Sequence, residues 1–364
     1  MNQKIQHSFL LIRGLKLHIA HIGKGFILNT VDYPVPIHTT DSLSQPSAGE
    51  IGTLLFVHGF PEVWYSWRHQ MVAAAAAGFR AIAPDFPGYG LSEPPTDLAQ
   101  ASWEALMKDL LAILDSLSIS KAFLVAKDFG VKPAFDLALC HPDRVCGVVT
   151  IGVPPLVESL DFSGLPEGFY IYRWRVNLHF SSLLLFRPWY FNSEWCNCPA
   201  TPWWEPGRAE GDFGRFNARR IMRTIYILFS KSEVPVAKQG QEIVDLAEES
   251  TPLPDWFTEE DLSAYTALYE KSGFITALQI PYRTKPSKVE YATPKFQMPM
   301  FVIMGERDYI LKFPALHDYI SSQKLKDIAP EHEISYISEG SHFVQEQFPD
   351  LVNHLMIDFL SKLL

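Results

Sequence analysis

Short apolar runs that alternate with helix-length segments constrain the fold of this chain more than any other feature of its sequence. The runs have the length of strands, and most are separated by enough residues for a helix, which predicts a mostly parallel sheet flanked by helices. The predicted strands are 53–59, 80–86, 122–128, 146–152, 300–306 and 333–339. Ligands of such sheets bind beyond the carboxyl ends of the strands. The residues there that can carry chemistry are His58, Asp128, Asp308 and His342.

The N-terminal segment FLLIRGLKLHIA, at 9–20, predicts a first pair of strands. It does not resemble a secretory leader, because Arg13 and Lys16 interrupt it and no small-residue cleavage site follows. The polar, proline-containing stretch at 23–52 predicts a long surface loop. No apolar stretch in the sequence has the length that spans a membrane.

The alternation stops between Pro154 and Lys295. This segment is rich in Trp, Tyr and Pro, and the capping box TEED predicts a helix from Thr258 to Gly273. A helical insertion above the carboxyl edge of a sheet tends to enclose an apolar pocket, although packing in a core is the better explanation for any single Trp in it. Six of the nine tryptophans lie in this segment: Trp174, Trp189, Trp195, Trp203, Trp204 and Trp256.

These boundaries predict a domain organisation in which one domain is inserted into another. The chain of 364 residues is long enough for one large domain or two packed ones. We predict an α/β core in two parts, 1–157 and 292–364, with a helical cap at 158–291.

Asp128 stands where a predicted strand breaks into a helix, in the frame Ala126, Lys127, Asp128, Phe129, Gly130. Small residues at both ends of the frame and a strand-turn-helix context are typical of a nucleophile elbow. Most elbows hold Ser or Cys, whereas an Asp, with a reference pKa of about 3.9, is ionised at neutral pH and needs no base before it attacks. Such a nucleophile suits displacement at a saturated carbon, followed by hydrolysis of the ester with water that a His activates. An Asp that only caps the following helix is the alternative.

Hydrolysis of an ester on Asp128 would pass through a tetrahedral oxyanion, which needs hydrogen-bond donors. The candidate donors are the backbone amides of Phe60, in the motif HGFP at 58–61, and of Phe129. Pro61 would make this turn rigid, and a cis peptide bond before it is plausible. An ordinary turn at the end of a strand is the alternative.

The candidate partners of this nucleophile follow the last two predicted strands. His342 lies in GSHF after the final strand, and Asp308 in GERD can hold its imidazole in the working tautomer. Glu306 is the competing carboxylate. The order nucleophile, acid, His along the chain is the one expected of the α/β-hydrolase fold.

A leaving oxygen needs a donor that stays protonated at neutral pH, and Tyr, with a reference pKa of about 10, meets this need. The candidates in the predicted cap are Tyr170, in EGFYIYRWR, and Tyr282, in LQIPYRT. The chain has fourteen tyrosines, so chemistry alone does not select these two over aromatic packing.

Composition excludes some classes of function. The net charge of −10 argues against nucleic acid as a partner. The cysteines predict free thiols in a reducing compartment and no metal site, because their spacing lacks a second ligand pair. They are Cys140, Cys146, Cys196 and Cys198.

Seven segments together closely resemble the soluble epoxide hydrolases, particularly those of plants. They are HGFPEVWYSWRHQ at 58–70, DFPGYGLSEPP at 85–95, AKDFG at 126–130, YIYRWR at 170–175, SGFITALQIPYR at 272–283, GERDYI at 305–310 and GSHFVQEQFP at 340–349. By this resemblance Asp128 opens the epoxide, and His342 with Asp308 activates the hydrolytic water. By the same resemblance, Tyr170 and Tyr282 hydrogen-bond the epoxide oxygen as the ring opens.

The resemblance also implies contacts in the first motif. Glu62 matches a carboxylate that helps to position water near the His, and His58, Pro61 and Trp64 are further candidate contacts to substrate or water. The implied partner is a small lipophilic epoxide, with no metal or organic cofactor, no nucleic acid and no stable membrane insertion. The chain would act as a monomer or a homodimer.

Three residues depart from the family pattern. Lys127 and Phe129 stand where the family usually has His and Trp, and Pro281 precedes Tyr282. A cation beside Asp128 should hold it ionised. We expect these departures to affect substrate range and regioselectivity rather than to abolish the chemistry.

Two other functions stay open. A haloalkane or haloacid dehalogenase of the same fold also uses Asp, but Phe60 and Phe129 fit poorly as halide-binding residues. A lidded, hydrolase-like receptor for a small apolar ligand is the other alternative, against which the intact set of candidate catalytic residues argues. The chain ends SKLL, one residue beyond a peroxisomal S-K-L terminus, so we expect a cytoplasmic protein, with the peroxisome as the alternative.

Overall fold

A single sheet of eight strands organises the computed structural model, which describes residues 5–23, 50–98, 101–156, 165–175, 207–233, 235–283, 289, 291 and 294–364. The strands are β1 (Gln6–Ile12), β2 (Leu15–Ile22), β3 (Thr53–Val57), β4 (Arg80–Pro84), β5 (Ala122–Lys127), β6 (Val145–Ile151), β7 (Met300–Gly305) and β8 (His332–Ile337). Their order across the sheet is β1-β2-β4-β3-β5-β6-β7-β8.

The direction of the strands follows the sequence pattern. β1 and β2 form an antiparallel hairpin, and β2 pairs antiparallel with β4. All other neighbouring strands are parallel. The predicted N-terminal strand pair and the mostly parallel sheet are therefore confirmed.

Helices cover both faces of the sheet. They are α1 (Arg68–Ala76), α2 (Trp103–Ser116), α3 (Val131–Cys140), α4 (Tyr170–Arg175), α5 (Arg208–Phe213), α6 (Ala218–Phe229), α7 (Glu259–Ser272), α8 (Ile275–Arg283), α9 (Pro314–Ile320), α10 (Gln323–Ile328), α11 (Val344–Gln347) and α12 (Pro349–Ser361). Within the part of the chain that the structure describes, no helix is both long and apolar enough to cross a membrane.

The apolar core is split by the sheet. Successive residues of β3 point to opposite faces, so Leu55 and Val57 join one buried cluster while Leu54 and Phe56 join another. The first cluster includes residues of α2 and α3, and the second includes residues of α1 and α12. A parallel strand buried on both faces reads as a continuous apolar run, which is why β3 was visible in the sequence.

The described elements between β6 and β7 are mainly helical, from α4 to α8. The predicted helix after Thr258 is confirmed: the Thr258 hydroxyl accepts from the Asp261 amide at 3.0 Å, the Asp261 carboxylate accepts in return from the Thr258 amide at 3.1 Å, and Gly273 ends the helix with a φ of 65°. The cap bounds of 158 and 291 stay a prediction.

Some predictions fall on residues outside the described part of the chain. They are most of the loop at 23–52, the tryptophans Trp189, Trp195, Trp203 and Trp204, and the cysteines Cys196 and Cys198.

Candidate active site

The turn after β5 holds Asp128 in a strained conformation. Its φ of 50° lies in the left-handed region, which residues other than glycine rarely adopt and which is often found at functional sites. The residues around this turn pack so closely that Gly130 and Gly59 leave no room for a side chain. A Cβ on Gly130 would lie 2.2 Å from the His58 carbonyl oxygen, and one on Gly59 would lie 2.5 Å from Asp128 Oδ1.

The Asp128 carboxylate is bonded through both of its oxygens. Oδ1 accepts a hydrogen bond from the Phe60 amide at 3.0 Å, and Oδ2 lies 3.5 Å from His342 Nε2. The Phe60–Pro61 peptide bond is cis. Phe129, the other predicted amide donor, follows Asp128 directly in the turn, and its ring stacks on Trp103 at 6.1 Å.

His342 links Asp128 to Asp308. Its Nδ1 lies 3.1 Å from Oδ1 and 3.0 Å from Oδ2 of Asp308. The loops that carry the two residues meet closely, because a Cβ on Gly305 would lie only 2.2 Å from the Gly340 carbonyl oxygen. Glu306, the competing carboxylate, is exposed.

The charges around His342 and Asp128 stabilise an ion pair. Burial lowers the pKa of His342, but the charge of Asp308 and hydrogen bonds to both carboxylates outweigh burial and raise it to about 9. Burial likewise raises the pKa of Asp128, yet His342, the charge of Lys127 and the Phe60 amide together hold it below its usual value. Asp128 is therefore an ionised carboxylate at neutral pH.

A small cavity connects these residues to the cap. Tyr170, at the start of α4, and Tyr282, in α8, are both buried in its wall. Burial raises the pKa of both phenols well above the ordinary value, so both are protonated at neutral pH. The lining residues are Phe60, Pro61, Asp128, Phe129, Tyr170, Trp174, Ile225, Phe229, Tyr282, Tyr309, His342 and Phe343.

Helix α8 is fixed against the core by the loop after β4. A Cβ on Gly88 would lie 2.3 Å from a methyl group of Thr276, so only glycine fits there. Pro281 lacks an N–H and cannot donate to the carbonyl of Ala277, one turn earlier in the helix. The hydroxyl of Tyr89 donates to this carbonyl instead, at 2.9 Å. This bond replaces the missing helical bond near Tyr282.

Three residues that were predicted to contact substrate or water do not line the cavity: His58, Glu62 and Trp64. Both ring nitrogens of His58 are bonded to backbone atoms, Nδ1 to the Gly59 carbonyl at 2.8 Å and Nε2 to the Phe86 amide at 3.0 Å. The ring of Trp64 packs edge-on against His7 of β1 at 4.6 Å. Glu62 is fully buried and bonded to other side chains. The geometry gives His58 and Trp64 structural positions, because their side chains leave the turn away from the cavity.

Tyr309 is a cavity residue that the sequence reasoning did not single out. It directly follows Asp308, and its hydroxyl lies 3.0 Å from that of Tyr170. Its position next to the predicted acid was the only signal. Trp174 and Phe343 also line the cavity, and the Trp174 indole N–H donates to Asp212 at 3.1 Å.

Comparisons with known proteins agree with this architecture. A family model described as the alpha/beta hydrolase fold matches residues 52–176. Epoxide hydrolase 3 of Siraitia grosvenorii is 28% identical over 372 residues, covering 99% of each chain. Epoxide hydrolase A of Mycobacterium tuberculosis is 28% identical over 326 residues, covering 87% of this chain and 93% of its own.

Solved structures of plant proteins are similar along the whole chain. An epoxide hydrolase from Vigna radiata has a TM-score of 0.76 and 26% identity, with 98% of each chain covered. A laboratory-evolved variant of potato epoxide hydrolase has a TM-score of 0.74 and 27% identity, with 99% of each chain covered. The chain has the α/β-hydrolase fold and is similar along its whole length to plant epoxide hydrolases. In this chain the turn after β5 carries Asp128, the loops after β7 and β8 carry Asp308 and His342, and α4 and α8 carry Tyr170 and Tyr282.

Proposed function

We propose that this epoxide hydrolase converts a lipophilic epoxide and water to a vicinal diol through a covalent ester on Asp128. The observation that supports it is the presence, in one cavity, of an ionised carboxylate, a His held by a second carboxylate, and two protonated phenols. A carboxylate attacks carbon directly, while a strained ether oxygen needs a proton donor to leave.

In the first step, Asp128 attacks one carbon of the epoxide ring, and the bond between that carbon and the ring oxygen breaks. Tyr170 and Tyr282 hydrogen-bond the departing oxygen, and one of them gives it a proton. The products of this step are an ester on Asp128, an alcohol and a phenolate. Only this step requires the phenols as acids.

In the second step, His342 takes a proton from water, which attacks the carbonyl carbon of the ester. Asp308 holds Nδ1 of His342, so that Nε2 faces the water as a base. The Phe60 amide, already on Asp128 Oδ1, would stabilise the oxyanion together with the Phe129 amide. The bond between the carbonyl carbon and the diol oxygen then breaks, and the protonated His342 gives its proton to that oxygen, so that the diol leaves. The Asp128 carboxyl that remains gives its proton to the phenolate, which restores both groups.

The lining of the cavity favours a lipophilic substrate. Apart from the catalytic groups and Tyr309, its walls are proline, tryptophan, isoleucine and phenylalanine side chains. We also propose a cytoplasmic location, in line with the free thiols of Cys140 and Cys146 in the described residues.

A single turnover of a styrene-type epoxide in heavy-oxygen water tests the ester. The new oxygen of the first diol should be unlabelled, since it comes from Asp128, and label should enter the diol only in later turnovers. Label in the first diol would mean direct attack by water and would contradict the covalent route. Asp128→Ala should form neither diol nor ester, and a parallel assay of chloride release from a haloalkane separates a dehalogenase from an epoxide hydrolase.

A further inference from the structure

A third phenol reaches the cavity from the core side. Tyr309 is 2% exposed, and its ring lies 5.1 Å from that of His342 and 5.2 Å from that of Phe229. Among the described residues, its hydroxyl has one hydrogen-bond partner, the hydroxyl of Tyr170 at 3.0 Å. The reaction as described above gives this phenol no task.

The direction of this hydrogen bond follows from counting protons. A phenol has one O–H to donate and can accept through its lone pairs. If Tyr170 directs its proton at the epoxide oxygen, it has none left for Tyr309. The bond must then run from the Tyr309 O–H to the Tyr170 oxygen.

Tyr170 and Tyr282 differ in whether their hydroxyl groups have a hydrogen-bond partner. The hydroxyl of Tyr282 has no hydrogen-bond partner among the described residues, and its ring packs edge-on against the rings of Phe60 at 5.7 Å and Phe129 at 5.8 Å. A phenolate formed on Tyr282 would stand in an apolar wall, where an unpaired charge is costly. A phenolate on Tyr170 would keep the hydrogen bond from Tyr309, and a bond to a charged acceptor is stronger than one to a neutral acceptor.

We propose that Tyr309 is a positioning residue that makes Tyr170, rather than Tyr282, the phenol that protonates the epoxide oxygen. This inference rests on the proposed function. As Asp128 forms its bond to carbon and the carbon–oxygen bond breaks, the Tyr170 proton moves to the ring oxygen, and the Tyr309 O–H stabilises the resulting phenolate. Tyr282 contributes a hydrogen bond and keeps its proton.

Ester formation is measured by rapid mixing with styrene oxide, acid quenching and mass spectrometry of the protein, and ester hydrolysis by the decay of the same mass. Tyr309→Phe keeps the ring and removes only the hydroxyl. We expect it to slow ester formation by roughly 10- to 100-fold, the size typical of one hydrogen bond to a charged group, and to leave ester hydrolysis unchanged. Tyr269→Phe is the matched control, because that buried hydroxyl has no hydrogen-bond partner among the described residues and does not line the cavity.

A double-mutant cycle separates action through Tyr170 from a general effect. In a Tyr170→Phe background, adding Tyr309→Phe should have no further effect on ester formation, whereas in a Tyr282→Phe background its effect should persist. The inference is overturned if Tyr309→Phe forms the ester as fast as the wild type, slows both steps equally, or acts independently of Tyr170. A wild-type enzyme that forms no ester and no diol from any epoxide tested would instead overturn the proposed function, and this inference with it.

Discussion

Lys127 and Glu62 form an ion pair with no exposed surface, with Nζ of the lysine 3.2 Å from Oε2 of the glutamate. The lysine Nζ also lies 4.9 Å from the centre of the Phe343 ring, and the other glutamate oxygen accepts from Gln345 at 2.7 Å. This chain therefore has an ion-paired lysine directly before the proposed nucleophile. Against the effect of burial, that cation helps to lower the pKa of Asp128, as expected from the sequence.

Removal of one partner of this pair should destabilise the fold strongly. Lys127→Met leaves the Glu62 charge buried and unpaired, which typically costs about 3–5 kcal/mol. The double variant Lys127→Met with Glu62→Gln removes both charges and should recover most of this loss. Urea unfolding at pH 7 of Lys127→Met, Glu62→Gln and the double variant measures these effects. If the double variant loses as much free energy of unfolding as the two single variants together, the two charges do not interact.

The hydrogen bond from Tyr89 to the Ala277 carbonyl gives a second prediction. Tyr89→Phe leaves that buried carbonyl without a donor, which should lower the free energy of unfolding by about 1–3 kcal/mol. Pro281→Ala restores an N–H that can form the helical bond, so Tyr89→Phe should cost clearly less in that background. Chemical denaturation of the four proteins in this cycle provides the measurement. Equal costs in both backgrounds would mean that the hydroxyl does not substitute for the helical donor.

The sequence predicted those parts of the structure that depend on local pattern. The strands are recognisable in the sequence as apolar runs. The elbow is recognisable by Gly130, because the His58 carbonyl lies so close that no side chain fits there. The direction of a side chain after a sharp turn cannot be read from the local sequence. For this reason His58 and Trp64 were predicted to contact substrate or water, although neither lines the cavity. The pairing of Tyr309 with Tyr170 joins residues 139 positions apart and depends on the tertiary packing of α4 against the loop after β7.

His342→Gln should let the ester accumulate. The variant keeps the attacking carboxylate and both cap tyrosines, but it lacks the base that activates water. After mixing with an epoxide, the mass of the intact protein should rise by that of the substrate and remain raised. A variant that turns over without any such increase would show that His342 does not serve the hydrolytic step.

We expect the fold to lose stability in mild acid because of two histidines in the N-terminal hairpin, His7, which is partly buried, and His21, which is buried. His7 Nδ1 lies 2.9 Å from His18 Nε2, and His21 Nε2 lies 2.9 Å from the Ser8 hydroxyl. Burial, with smaller effects from neighbouring charges, lowers the pKa of His7 to about 4 and that of His21 to about 3.

Because an unfolded His has a pKa of about 6.5, the unfolded chain binds more protons than the folded chain below that pH. The stability from these two residues is complete above about pH 6.5 and is lost as the pH falls towards 4, by roughly 1–3 kcal/mol for each. Unfolding free energies from urea titrations between pH 7.5 and 4.5 should decrease accordingly. The double variant His7→Gln, His21→Gln should show a flatter dependence on pH, and an unchanged slope would contradict the assignment.

The rate of ester hydrolysis should rise with pH, because His342 must be neutral to take a proton from water. In the resting enzyme, the carboxylates of Asp308 and Asp128 together raise the pKa of His342 to about 9 against burial and the charge of Lys127. Formation of the ester removes the negative charge of Asp128, so the pKa of His342 in the intermediate should lie below about 9. The rate should therefore increase through that pKa and level off above it, whereas ester formation should not follow this curve.

The Lys127→Met variant tests this assignment in a pH-jump experiment on the preformed ester. The midpoint of the rate curve should move to higher pH, because the variant lacks a cation that lowers the pKa of His342. A midpoint that stays fixed would mean that Lys127 does not act on the base.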